Sequence, residues 1–307
     1  MKTIDVDVRK DGKRIDRVIS ESFPGLSSGA MFRAFRKRDI KVNGVRVNRD
    51  HIVSAGDRID IYIVDDILEG SAEKSSSHVE IPFSVVYEDQ NILVANKSQG
   101  IPVEPDRDST EKPLIDIVRE YLHIKGENKS SFSPSLCHRL DRNTGGLIII
   151  AKNDESHKII LQKIKSREIK KHYMCLVQGE MPKRFDELHA YLEKDEKKSR
   201  VFIKDKPSKS TLEIVTRYTV LSFDGKLSTL DVELVTGRTH QIRAHLAHIG
   251  HPVAGDGKYG SNAFNRGLKM KYQALWAYKL LFDFKDDAGR LNYLKGQSFE
   301  ISPGFHV

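Results

Sequence analysis

Apolar and polar positions divide the chain into segments of different period. From Lys13 to Ile19 the apolar residues fall at helical spacing, and Ser27 or Ser28 can cap a second helix through Ala30, Met31, Phe32, Ala34 and Phe35. Ile40-Lys41-Val42 and Val45-Arg46-Val47 read as short strands around Asn43-Gly44, residue types that accept the positive φ of a tight hairpin. Ala55-Gly56-Asp57 and the alternating run Arg58 to Ile63 predict a turn and a closing strand. Leu68 to Ser77 is small, polar and without period, as a linker is. The pattern thus predicts a module over 1–66, a linker over 67–79 and a second domain over 80–307.

In that second domain, Val85–Glu88 and Asn91–Asn96 predict a hairpin, and Gly100–Pro105 an irregular loop. Pro113–Leu122 predicts a short helix, and Leu147–Ala151 has the length and branching of a buried strand. Asp154 can cap a helix through Ile164, whose end is strongly basic: Lys163, Lys165, Arg167, Lys170 and Lys171. Lys171–Gly179 reads as a strand, and Lys194–Lys209 as an exposed charged loop or ribbon. Leu212–Phe223 and Leu227–Val235 form a second hairpin about Asp224-Gly225. Thr239 is the expected N-cap of a helix with Ile242, Leu246 and Ile249 on one face, stopped by Gly250 and Pro252. Strands joined by short turns predict a mostly antiparallel sheet with a few helices packed on it, a mixed α+β fold.

Charge sharpens this picture. The 307 residues carry a formal net charge of +8, which favours an acidic partner, nucleic acid above all. Between Arg33 and Arg49 there are seven Lys/Arg and one acid, Asp39. Arg33, Arg36, Lys37 and Arg38 share the second helix, and Lys41 and Arg46 the hairpin, so the module presents a basic face suited to phosphates. No run of about 18 apolar residues is present, and Met1–Val6 lacks the apolar stretch of a signal peptide, so a cytoplasmic protein is expected. Two cysteines, Cys137 and Cys175, are too few for a disulfide framework and read as buried apolar residues.

Two stretches carry candidate chemistry. In His138-Arg139-Leu140-Asp141-Arg142-Asn143-Thr144-Gly145-Gly146 one carboxylate lies between two guanidinium groups, which favour its ionised form and suit phosphates or base edges. A surface ion-pair loop is the plainer reading of these nine residues. In Val235-Thr236-Gly237-Arg238-Thr239-His240-Gln241-Ile242-Arg243 a strand end, a glycine turn and a helix start place Arg243 near a strand-to-helix corner, where it can reach a cleft. His240, His245, His248 and His251 cluster here, but no cysteine or carboxylate joins them at ligand spacing, so paired or solvent-facing histidines are expected and no metal.

The motifs H-R-L-D-R-x-T-x-G-L, K-x-Y-x-x-x-V-x-G and T-G-R-T-H-Q-I-R-x-H-L-x-x-I-G-H-P-x-x-G-D-x-x-Y-G occur in that order. Together they resemble the RNA pseudouridine synthases of the RluA type over roughly residues 80–301, and residues 13–64 resemble the S4 RNA-binding domain. The resemblance implies the pseudouridine synthase fold, a long mixed sheet with a central cleft. It implies that Asp141 is the catalytic aspartate, that Tyr173 lies against the target base and that Arg243 pairs with the aspartate. It further implies that Arg139 holds RNA with the uridine flipped out, that His138 and Thr144 shape the loop at the RNA, and that Arg142, Arg238 and His240 line the RNA path. No cofactor, metal, membrane or obligate protein partner is implied. The substrate would be structured RNA, ribosomal RNA of the large subunit ahead of transfer RNA, with Asp141 acting as general base or as nucleophile. Asn143-Thr144-Gly145-Gly146, Lys97-Ser98 and Val103-Glu104-Pro105 depart from the commoner Asp-Thr-Ser-Gly, Lys-Pro and Val-His-Pro, without removing a residue carried over as catalytic.

Overall fold

The computed structural model describes residues 2–26, 28–63, 81–105, 111–126, 132–195 and 199–305; Ser27 and the expected linker over 67–79 lie outside these. The chain divides into two compact units. The first comprises residues 1–81 with 102–135 and 152–154. Its sheet joins β1 (Lys2–Asp5), β4 (Arg58–Ile61), β2 (Ile40–Val42) and β3 (Val45–Arg46) in the order β1-β4-β2-β3. Helices α1 (Ile15–Ser22) and α2 (Ser28–Lys37) bury Ile15, Val18, Ile19, Ala30, Met31 and Ala34 against Ile4, Ile40, Ile59 and Ile61. The turn between β2 and β3 has φ of 50° at Asn43 and 77° at Gly44, as its sequence required. α3 (Leu114–Ile124) packs on α2 in the same unit. Strand β1 went unrecognised in the sequence because its four residues are too short to show a period.

The second unit holds an 11-stranded sheet. Its path runs β11 (Arg200–Lys204), β10 (Phe185–Asp195), β12 (Thr211–Phe223), β13 (Leu227–Leu234), β9 (Ile169–Gln178), β14 (Leu275–Phe282), β8 (Gly145–Ala151), β6 (Ile92–Lys97) and β5 (Phe83–Glu88). Short β7 (Ser135–Leu136) and β15 (Ser298–Glu300) attach to β8 and β14. Every pairing along the path is antiparallel except β14 with β8. The expected mixed, mostly antiparallel α+β architecture is therefore present. α4 (Asp154–Lys165), α5 (Gln241–His248) and the short α6 (Asn262–Arg266) flank the sheet. The basic end expected after α4 is divided: Lys163 is buried against Glu168 at 2.6 Å, and Lys170 pairs with Asp283 at 3.1 Å.

The single parallel contact explains one departure from the family pattern. Gly145 stands opposite Trp276, and a Cβ on it would lie 2.3 Å from the indole ring; Gly304 crowds the same ring at 2.4 Å. The indole thus fills the space a serine at 145 would need. Gly146, with φ of 113°, passes so near Ala277 that a Cβ would meet its carbonyl oxygen at 2.2 Å. Gly145→Ser is expected to cost at least about 2 kcal/mol by overpacking, and clearly less in a Trp276→Leu background. Urea denaturation of the single and double variants measures the difference.

Candidate active site

The loop that enters β8 is held from below by donors that are buried, at Lys97 and Gln273, or half-buried, at Gln99. Lys97, at the end of β6, has no exposed surface and donates to the carbonyl oxygens of Ser98 (2.9 Å), Ile101 (3.0 Å) and Arg142 (3.1 Å). Burial lowers its pKa to about 7, against the pull of the Asp141 charge. Gln99 Nε2 donates to Asn143 O (2.9 Å) and Gln273 O (2.8 Å), and Gln273 Nε2 to Thr144 Oγ1 (2.8 Å). The amides of Gly100 and Thr144 donate to Arg142 O and Asp141 O. These bonds fix the backbone on either side of Asp141, whose side chain stays 22% exposed.

Arg243 leaves the first turn of α5, as its spacing predicts. The cap does not follow expectation: it is His240, in the left-handed region with φ of 55° and no side-chain cap, not Thr239. Gln241 ties the corner down instead, accepting from Arg238 N (3.1 Å) and Thr236 Oγ1 (2.9 Å) and donating to Val215 O (3.1 Å) and Thr216 Oγ1 (3.0 Å). The one apolar face expected for this helix is also too narrow, since Gln241 to Leu246 are all buried.

Arg243 Nε and Nη2 grip both oxygens of Asp256, at 2.7 and 3.0 Å, and Nη1 donates to Asp141 Oδ2 at 2.7 Å. Asp256 is 0% exposed and also accepts from the amides of Lys258 (2.8 Å) and Tyr259 (3.1 Å). Burial opposes its charge, but the guanidinium and these amides hold its carboxyl below the usual range. Burial likewise opposes the charge on Arg243, and the two carboxylates outweigh it, so its pKa stands above the ordinary arginine value. Tyr259 lies beneath this guanidinium, 5.3 Å from ring centroid to Cζ. One oxygen of Asp141 is thus occupied by a clamped cation, while Oδ1 meets no donor among the described residues.

Tyr173 projects from β9 and is 4% exposed. Burial, reinforced by the negative charge of Asp141, pushes its phenol pKa upward, so the hydroxyl is neutral. Arg139, Arg142 and Arg238 are exposed, with Arg142 Nε donating to Gly100 O at 3.0 Å. Thr144 is buried in the loop. His138 accepts from Ile149 N at 3.1 Å, and burial, with the nearby Lys171 charge, lowers its pKa to about 3. Each histidine of the cluster has its own partner: His240 with Tyr259 OH (2.9 Å), His245 with Thr216 Oγ1 (3.0 Å), His248 with Asp205 (2.8 Å) and His251 with Gln178 O (3.0 Å). Among the described residues no group of three His, Cys, Asp or Glu side chains gathers as a metal site. Cys137 and Cys175 are buried and free. In the other unit Arg33, Arg36, Lys37, Arg38 and Arg46 are exposed, and Lys41 lies 5.0 Å from the centre of the Tyr62 ring.

Asp256 and Lys97 were not recognised as site residues in the sequence. Asp256 stood in a glycine-rich loop 13 residues after Arg243, and a carboxylate there was the available signal for a second partner of the arginine.

Residues 91–248 match the family described as RNA pseudouridylate synthase, a span containing Asp141, Tyr173 and Arg243. An uncharacterized RNA pseudouridine synthase of Aquifex aeolicus is 29% identical over 84% of this chain and 80% of its own. Ribosomal large subunit pseudouridine synthase C of Escherichia coli K12 is 28% identical over 87% of this chain and 82% of its own. Among solved structures, human RNA pseudouridylate synthase domain containing 4 superposes with a TM-score of 0.58 at 20% identity, covering 72% of this chain and 88% of that one. No helix among the described residues is long and apolar enough to cross a membrane.

Proposed function

The chain belongs to the RNA pseudouridylate synthase family, and from that premise we propose that it converts uridines of large-subunit ribosomal RNA to pseudouridine, with Asp141 as the reacting carboxylate. The observation that carries the residue assignment is the clamp on Arg243: a buried Asp256 holds the guanidinium by two hydrogen bonds and leaves a third donor, Nη1, for Asp141. The names of relatives that modify the large ribosomal subunit support the choice of RNA.

The reaction breaks the N1–C1′ bond of uridine, turns the base, joins C5 to C1′ and releases the C5 proton. The nucleotide must first leave its stack, at a cost of a few kcal/mol. Exposed Arg139, Arg142 and Arg238 are the cations placed to hold the backbone while it does so. The ring of Tyr173 offers the base an apolar surface, and its raised pKa suits stacking better than proton abstraction. Asp141 reacts through Oδ1, either by taking a proton from C2′ or by attacking sugar or base. Both routes need a charged, aimed carboxylate, which the clamped arginine supplies.

Incubation of the purified protein with unmodified transcripts of large-subunit ribosomal RNA and of transfer RNA, followed by pseudouridine mapping, tests this reading. New pseudouridine in the ribosomal transcript is expected; modification of transfer RNA alone would reassign the substrate, and none in either would overturn the proposal.

The S4-like unit is assigned to RNA capture through its basic face. Exchanging Arg33, Arg36, Lys41 and Arg46 for Gln is expected to weaken binding to the ribosomal transcript and to reduce the slope of log Kd against log salt by about 2–3. The rate at saturating RNA should stay the same. Filter binding at a series of salt concentrations measures the slope, and an unchanged slope would remove the role.

A further inference from the structure

Among the described residues the ammonium of Lys171 has no counter-ion. It is 8% exposed, and burial lowers its pKa. Among the described residues no carboxylate pairs with it and nothing accepts a hydrogen bond from it. Its charge opposes the protonation of His138. Buried cations in folded proteins are ordinarily paired, so the missing partner points to something that arrives from outside.

The surroundings indicate from which side. Lys171 and Tyr173 lie two residues apart on β9 and share its buried face, which separates their Cα atoms by roughly 7 Å. Above Lys171 runs the turn Gly237-Arg238-Thr239, exposed at all three residues. A Cβ on Gly237 would lie 3.4 Å from Lys171 Nζ. The φ of Gly237 is outside the left-handed region, so its backbone does not demand glycine, and the turn approaches the ammonium to ordinary contact distance. The turn is kept in place by the buried Gln241.

We propose that Lys171 Nζ, beside the exposed turn at Gly237, is a binding site for one phosphodiester of the substrate RNA, a nucleotide's reach from the base on Tyr173. The assignment rests on the proposed function and adds to it a backbone contact inside the cleft, distinct from the exposed arginines. A compact ammonium suits a phosphate oxygen as a point charge.

The test is RNA binding by full-length Lys171→Met, Lys171→Arg and Gly237→Asp, with an unmodified transcript of large-subunit ribosomal RNA as probe. Loss of one phosphate contact is expected to weaken binding about tenfold and to reduce the salt slope by about 0.7–0.9. Lys171→Arg should keep the slope, and Gly237→Asp, which places a carboxylate against the ammonium from an exposed turn, should lose it. Unchanged affinity and slope in Lys171→Met, or equal losses in the Met and Arg variants, would overturn the assignment. If Lys171→Met does not fold, an unaltered slope in Gly237→Asp does so. The readout is binding, so it can fail while wild-type protein still makes pseudouridine. Absence of pseudouridine with wild-type protein is instead a failure of the function reading.

Discussion

Asp141→Asn is expected to stop tritium release from RNA labelled at C5 of uridine, by at least a thousandfold, or about 4 kcal/mol of transition-state stabilisation. The amide keeps the volume of the carboxylate and can still accept from Arg243 Nη1, so the loop, anchored through Lys97, Gln99 and Gln273, keeps its shape. What disappears is the carboxylate charge, including that on Oδ1, which meets no donor among the described residues. RNA affinity should change by no more than about threefold, since the exchange removes a negative charge and does not cost a phosphate contact. Paired measurements of tritium release and filter binding check both halves. Near-normal turnover by the Asn variant would exclude Asp141 as the reacting group.

Arg243→Gln should lose activity to a comparable degree and, unlike Asp141→Asn, also lose stability. Asp256 has no exposed surface and depends on Arg243 for two of its four hydrogen bonds. Removing one member of a buried ion pair leaves an uncompensated charge, at a cost of about 3–5 kcal/mol. A second change, Asp256→Asn, removes that charge, so the double variant should regain much of the stability. It should not regain activity, because Arg243 Nη1 then no longer donates to Asp141 Oδ2. Thermal melts separate the two effects: if the double variant turns over normally, the arginine has only a structural role; if Arg243→Gln melts like wild type, Asp256 is not held as described.

Much of this arrangement was legible in the sequence. The Asn43-Gly44 and Asp224-Gly225 hairpins, the apolar run of β8 and the position of Arg243 near a corner all follow from local rules that tertiary contacts do not override. β14 was not legible. Leu275-Trp-Ala-Tyr-Lys-Leu-Leu-Phe282 lies between β9 and β8 and is buried along much of its length, so it carries no clean alternation to distinguish strand from helix. Its partners are set by long-range contacts, including the glycines that admit the Trp276 ring. Asp256 was hidden for a related reason. A carboxylate in a glycine-rich loop looks solvent-facing until the fold buries it against an arginine. Lys171 looked like one of five cations in a basic run; the sheet turns it to the buried face of β9, where no carboxylate among the described residues pairs with it.

The most direct test uses cells. Pseudouridines are mapped in the large-subunit ribosomal RNA of a strain lacking this gene, complemented with wild type, with Asp141→Asn or with an empty vector. One or more pseudouridines should vanish in the deletion strain, return with wild type and stay absent with Asp141→Asn. Restoration by Asp141→Asn, or an unchanged set of pseudouridines in the deletion strain, would contradict a lone aspartate, steadied by Arg243, as the agent of uridine isomerisation in this RNA.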